Sequence, residues 1–312
     1  MGTSSLNKCR LMEWSSLFLL VTRVLAVLAV VGIVMDANMV YAQRDKPLRH
    51  FMQDGAETAD EPRYGDNKAA GHYADAGDAK IYYEVYGKGS PLVILHGGVF
   101  GSMFEMHEFI NRLAKDYEII AISTRGHGKS EIGSKPVTYE QRANDVMAVV
   151  NQVTSDKFTL LGFSDGAYTG YKVASMFPDR VVKLVAIGAG EQVPGLRKVV
   201  LNTDEAFKLD PPYWEQQQAL MPEPKRLGEY WKSLEIFYNT MVASKELFAS
   251  IKCPVLVMAG ERDMNAPLAT IIAAYQMIPN SQLSIIPNAP HPVFLVNFPA
   301  VWEAMEPFLQ RS

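Results

Sequence analysis

The amino-acid sequence predicts an α/β architecture: a mainly parallel β-sheet flanked by helices and interrupted once by a helical cap. Three observations carry this. From residue 72 onward, short β-type runs alternate with helix-patterned stretches, the rhythm of strand–helix–strand units. Several of the runs are nearly unbroken Val, Ile and Leu, as expected of strands buried on both faces. Residues 191–250 show no convincing strand yet fall between two strand candidates, so they read as an insertion.

Strands are expected at 72–75, 81–86, 92–96, 118–123, 158–162, 181–187, 254–259 and 282–286. The first two, joined around Gly77-Asp78, form a hairpin at one sheet edge. Helices are expected at 103–115, 139–153, 167–177, 266–278 and 299–309, with Pro178 as a stop signal after the third. The 191–250 segment sets Tyr213, Trp214, Tyr230, Trp231, Phe237 and Tyr238 among helix-forming polar residues. Some of these aromatics pack on the core as any amphipathic helix would. Trp214, Trp231 and Phe237 are expected to line an apolar substrate pocket.

The chain has 312 residues, 48% apolar and 21% charged, enough to bury a full core. Its net charge of −4 argues against a nucleic-acid partner, which calls for a basic stripe or patch. Residues 1–42 stand apart. Lys8, Arg10 and Arg23 precede an uncharged apolar run, 24–35, and Val40-Tyr41-Ala42 offers small residues at the −3 and −1 positions of a cleavage site. A cleaved signal peptide and an uncleaved anchor are both open, and only the anchor brings a membrane contact. Arg23 near the middle of a span would cost roughly 2.5–3.5 kcal/mol, so cleavage and export to the periplasm or medium are the expectation. Residues 43–71 are polar and lack an apolar period, and read as a flexible linker to a domain at 72–312. The two cysteines are Cys9 and Cys253. Cys253 precedes an apolar strand and reads as a buried small hydrophobe.

The chemistry centres on Gly162-Phe163-Ser164-Asp165-Gly166, which closes one strand and opens a helix. This G-x-S-x-G elbow holds the serine on a strained strand-to-helix turn, with no room for side chains two residues either way. A serine hydroxyl is a poor nucleophile at neutral pH and needs a base, itself oriented by a third group. Of the six histidines, His291 follows the last strand, in Asn288-Ala289-Pro290-His291-Pro292, on a loop able to reach over the serine. His50 lies in the expected linker, His72 opens an edge strand, and His107 sits inside a helix. His96 reads as a structural residue shaping its loop. For the orienting acid, Gly260-Glu261-Arg262-Asp263 follows a strand. Asp263 is the choice, with Glu261, nearer the strand end, as the fallback. Acyl transfer also requires backbone N–H donors aimed at a developing oxyanion. Gly98 or Val99, after the strand ending at His96, supplies one, and Asp165, opening the helix, supplies the other.

These motifs, with Arg125-Gly126-His127-Gly128-Lys129-Ser130, make residues 72–312 resemble the α/β-hydrolase superfamily over nearly their whole length. The order Ser164, Asp263, His291 is that superfamily's order. The resemblance implies an eight-stranded sheet, a lid after strand six and hydrolysis of a small-molecule ester or related acyl compound through an acyl-enzyme, with no metal or organic cofactor. Lactone, amide or peptide, C–C bond and perhydrolase chemistry use the same triad, and a non-catalytic binding protein is the rival of another class. Ser123 stands where members commonly carry an acid before the arginine loop, which bears on local loop geometry. The Ser-Asp-Gly of the elbow is similar to that of valacyclovir-hydrolase-like members, where the aspartate is associated with amino-acid esters bearing a positive amine. The simpler reading of Asp165 is an acid favoured by the helix dipole.

Overall fold

The structure, a computed structural model, describes residues 46–54 and 62–310. The chain divides into residues 1–47 and a compact unit from Leu48 onward; the account below concerns the second. The candidate export segment lies outside the described residues. Among the described residues, no helix is long and apolar enough to cross a membrane.

Eight strands form one sheet in the order β1-β2-β4-β3-β5-β6-β7-β8. They are β1 (Gly71–Asp75), β2 (Lys80–Gly87), β3 (Ser90–Leu95), β4 (Tyr117–Ile122), β5 (Phe158–Phe163), β6 (Val181–Ile187), β7 (Val255–Gly260) and β8 (Ser281–Ile286). Each falls within a residue or two of its expected span. β1 and β2 pair antiparallel, as do β2 and β4; all other pairs are parallel. Alternate residues feed opposite faces, as the two-residue period of a strand requires. Val93, Leu95, Phe158 and Leu160 enter one core, and Leu92, Ile94, Leu161 and Phe163 the other.

Helices α1 (His107–Leu113) and α10 (Phe298–Gln310) cover the second core; α2 (Tyr139–Val153), α3 (Asp165–Met176) and α8 (Leu268–Met277) cover the first. Thr138 starts α2 by accepting the Gln141 N–H on its hydroxyl at 3.0 Å. The helix expected at 103–115 begins with a tight 3₁₀ turn, Met103–Met106, before α1. Between β6 and β7 lie α4 (Thr203–Leu209), α5 (Pro211–Leu220), α6 (Leu227–Thr240) and α7 (Lys245–Ser250). One short helix was not expected: α9 (Val293–Val296), directly after His291.

The stretch expected as a linker departs from its reading. In its described part Leu48 and Tyr64 are buried, and the N–H groups of Gly65 and Asn67 donate to the buried Glu84 carboxyl at 2.9 and 2.8 Å. Arg49 pairs with Asp210 at 3.2 Å. Polar composition hid this role because the segment supplies hydrogen-bond donors to a buried acid rather than apolar mass.

Candidate active site

The elbow sits where β5 meets α3. Ser164 has φ 50°, a left-handed conformation costing an L-residue about 1–2 kcal/mol. The turn is this tight because both glycines are pressed against backbone. A Cβ on Gly162 would lie 2.4 Å from the Gly166 carbonyl oxygen, and one on Gly166 would lie 2.5 Å from the carbonyl oxygens of Leu95 and His96. The Ser164 N–H donates to Ile187 O on β6 at 2.7 Å, tying the strained residue to the sheet.

His291 arrives from the loop between β8 and α9. Its Nε2 lies 2.9 Å from Ser164 Oγ, and its Nδ1 lies 2.7 Å from Asp263 Oδ2. A carboxylate only accepts, so Nδ1 carries the proton and Nε2 is left to accept from the serine hydroxyl. Asp263 is buried, and its other oxygen accepts the N–H groups of Asn265 at 2.8 Å and Ala266 at 2.7 Å. Glu261 is exposed and accepts the Asn288 N–H at 2.9 Å instead. The remaining histidines are elsewhere. His96 binds Gly97 O and the Thr124 N–H, and burial lowers its pKa to about 3, so it stays neutral. His127 packs beside it, lowered by burial to about 4. His72 stacks on Tyr83 and His107 on Phe104.

Gly98, Val99 and Asp165 all line the cavity above Ser164. Among the described residues none of their three N–H groups has a protein acceptor. Val99 has φ 56°, a genuine outlier for a β-branched residue, and strain of this kind clusters at working sites. The neighbouring Gly97 N–H is engaged by Glu105 Oε1 at 2.6 Å. Glu105 is buried without a cationic partner among the described residues, and burial pushes its pKa up to about 8. The sequence reading missed this residue; a lone acid in an apolar helical run was the available signal.

Asp165 is more than a helix-terminal acid. Its carboxylate is buried, paired with Arg142 Nη1 at 2.5 Å and hydrogen-bonded by the Tyr139 hydroxyl at 3.0 Å. Arg142 also donates to the Tyr230 hydroxyl at 3.1 Å. The arginine interrupts the otherwise apolar face of α2 formed by Ala143, Val146 and Val150, a signal that could have found it. With its charge matched internally, Asp165 does not stand as an open partner for a substrate amine.

The pocket assignment needs correction. The cavity at Ser164, about 350 Å³, is walled by Phe51, Phe100, Tyr139, Tyr168, Leu201 and Tyr238, not by Trp214, Trp231 or Phe237. The two tryptophans are buried against each other, with ring centroids 5.4 Å apart, and against Phe207 and Phe100. They form the cap's own core. Phe237 borders a larger groove of about 710 Å³ whose lining includes none of Ser164, Asp263 or His291. The wall residue from the supposed linker, Phe51, stacks on Phe100 at 4.5 Å. Tyr238 is buried beside the Asp165 carboxylate. No cluster of three or more His, Cys, Asp or Glu among the described residues is placed to hold a metal ion.

The comparisons with known proteins agree with this fold. A family model described as the alpha/beta hydrolase fold matches residues 91–241. A putative carbamate hydrolase of Azorhizobium caulinodans is 27% identical, covering 70% of this chain and 91% of that protein. A human serine hydrolase is 25% identical, covering 74% of this chain and 83% of that protein. Among solved structures, an enol-lactonase from Burkholderia xenovorans superposes with a TM-score of 0.64 at 20% identity, covering 77% of this chain and all of that one. With its sheet order, its elbow and its matched segment, the chain belongs to the α/β-hydrolase superfamily and stands among that superfamily's hydrolases.

Proposed function

We propose that this protein is a serine hydrolase that cleaves a carboxylic ester or related acyl compound through an acyl-enzyme. The observation that carries the reading is the unbroken relay Ser164 Oγ, His291 Nε2, His291 Nδ1, Asp263 Oδ2, open to a cavity of small-molecule size. Ser164 Oγ attacks the substrate carbonyl carbon while His291 Nε2 takes its proton, and Asp263 stabilises the imidazolium. The carbonyl oxygen becomes an oxyanion held by the N–H groups of Gly98 or Val99 and of Asp165, at the positive end of α3. Collapse breaks the bond to the leaving alkoxide, which receives the proton from His291. Water then repeats the cycle: His291 takes its proton, the hydroxide adds to the acyl carbon, and the acid leaves Ser164.

The relatives' printed activities, a carbamate hydrolase and a serine hydrolase, are consistent with attack on an acyl carbon. An intact relay and three acceptor-free amides speak against a binding protein that has lost its chemistry. Export remains part of the proposal, on the pattern of residues 1–42. The deciding experiment is labelling with a fluorophosphonate probe, followed by a screen of esters, lactones and amides. Labelling that Ser164→Ala abolishes is expected. A folded protein that resists the probe would make the nucleophile assignment untenable.

A further inference from the structure

The Ser164 cavity holds one charge that its own walls leave unbalanced. Among the described residues, Arg197 is the sole lysine or arginine lining it. The acids around it are already committed: Asp165 is paired with Arg142, and Asp263 faces His291. Glu105, pushed up to about 8 by burial, is neutral at neutral pH. Arg197 Nη1 donates to Asn265 O at 2.7 Å, while its Nε is buried with no acceptor among the described residues. Its Nη2 also has no acceptor among the described residues, which leaves a guanidinium donor for an anionic ligand. The anchor fixes where that ligand sits. Asn265 also donates its N–H to Asp263 Oδ1 at 2.8 Å, so the guanidinium and the acid of the relay hang on one loop. Tyr168 lines the same cavity, and the positive charge of Arg197 partly offsets the burial that raises its phenol to about 12.

The geometry points to Arg197 as a specificity-determining residue that binds a substrate carboxylate, so that the compounds cleaved at Ser164 are acidic esters or related acyl compounds. This rests on the serine-hydrolase reading. A planar guanidinium fork matches a carboxylate, and one positive charge balances one negative charge rather than a phosphate dianion. Phe51, Phe100, Val199, Leu201 and Leu295, on the same walls, suit a short carbon chain between the carboxylate and the reacting carbonyl.

The test uses the full protein and two matched pairs of esters. The p-nitrophenyl monoester of glutaric acid is compared with p-nitrophenyl pentanoate, and 4-carboxyphenyl pentanoate with phenyl pentanoate. In at least one pair the anionic ester should be preferred, and Arg197→Gln should lower the anionic-to-neutral ratio of kcat/KM by about ten- to a hundredfold, as loss of a charge-assisted hydrogen bond implies. Arg197→Lys should keep part of the preference. In the unaltered protein, glutarate should inhibit neutral-ester hydrolysis competitively and glutaramide should not, a readout that needs no variant. No anionic preference in either pair, or a preference that survives Arg197→Gln, overturns the inference. Failure of the serine-hydrolase reading looks different: no ester is cleaved in a Ser164-dependent manner. Glutarate binding by calorimetry, with and without Arg197→Gln, then still decides whether the carboxylate site exists.

Discussion

Glu105→Gln is the substitution with the best-defined expected size. Glu105 is 7% exposed; its carboxyl accepts the Gly97 N–H at 2.6 Å and forms no ion pair among the described residues. Burial raises its pKa from the ordinary 4.5 to about 8. A folded-state value above the unfolded one means that the stability carried by the protonated form is complete below pH 4.5 and lost as pH rises toward 8. Each pH unit across that interval is worth about 1.36 kcal/mol, so ionised Glu105 costs the fold roughly 5 kcal/mol. Glutamine keeps an oxygen for the Gly97 N–H and never ionises. Urea unfolding at pH 5, 7 and 9 should therefore show the variant gaining on the parent, by about 3 kcal/mol at pH 7 and by the full amount at pH 9. The parent's hydrolytic rate should also fall above about pH 8, as a negative charge appears beside the oxyanion loop, and the variant's should not. A stability difference that stays flat from pH 5 to pH 9 would refute the reasoning.

Three further outcomes follow from the same geometry. Asp263→Asn presents a donor where His291 Nδ1–H needs an acceptor, and kcat should fall about 10⁴-fold with little change in KM, read by steady-state kinetics. A Cβ on Gly98 would meet the Tyr238 hydroxyl at 2.4 Å, so Gly98→Ala should displace the oxyanion loop and cut kcat about 10²-fold. Adding Tyr238→Phe removes that oxygen and should restore part of the rate, whereas no rescue would locate the damage elsewhere. Arg142→Met leaves the Asp165 carboxylate buried and unpaired, with an expected loss of about 3–5 kcal/mol in denaturant unfolding; an unchanged midpoint would show that the pair is not needed.

The α/β class, the eight strands and the order of the three relay residues were all legible along the chain. Each rests on local physics: the two-residue period of buried strands, glycines at a turn with no room for Cβ, and loops at strand ends. What folding decided is pairing between distant residues and the direction in which side chains point. Arg142 meets Asp165 from a helix 23 residues earlier, and no spacing rule joins an arginine on one helix to the first residue of another. Trp214 and Trp231 belonged to an aromatic-rich insertion, but whether such rings line a cavity or fill the cap depends on how α5 and α6 pack. They turned inward, where large rings bury the most apolar surface. Phe51, in a stretch too polar to read as core, forms the cavity wall that the tryptophans were expected to form. A cavity is bounded by whatever segments converge on it in space, so its lining follows from tertiary packing rather than from local sequence pattern.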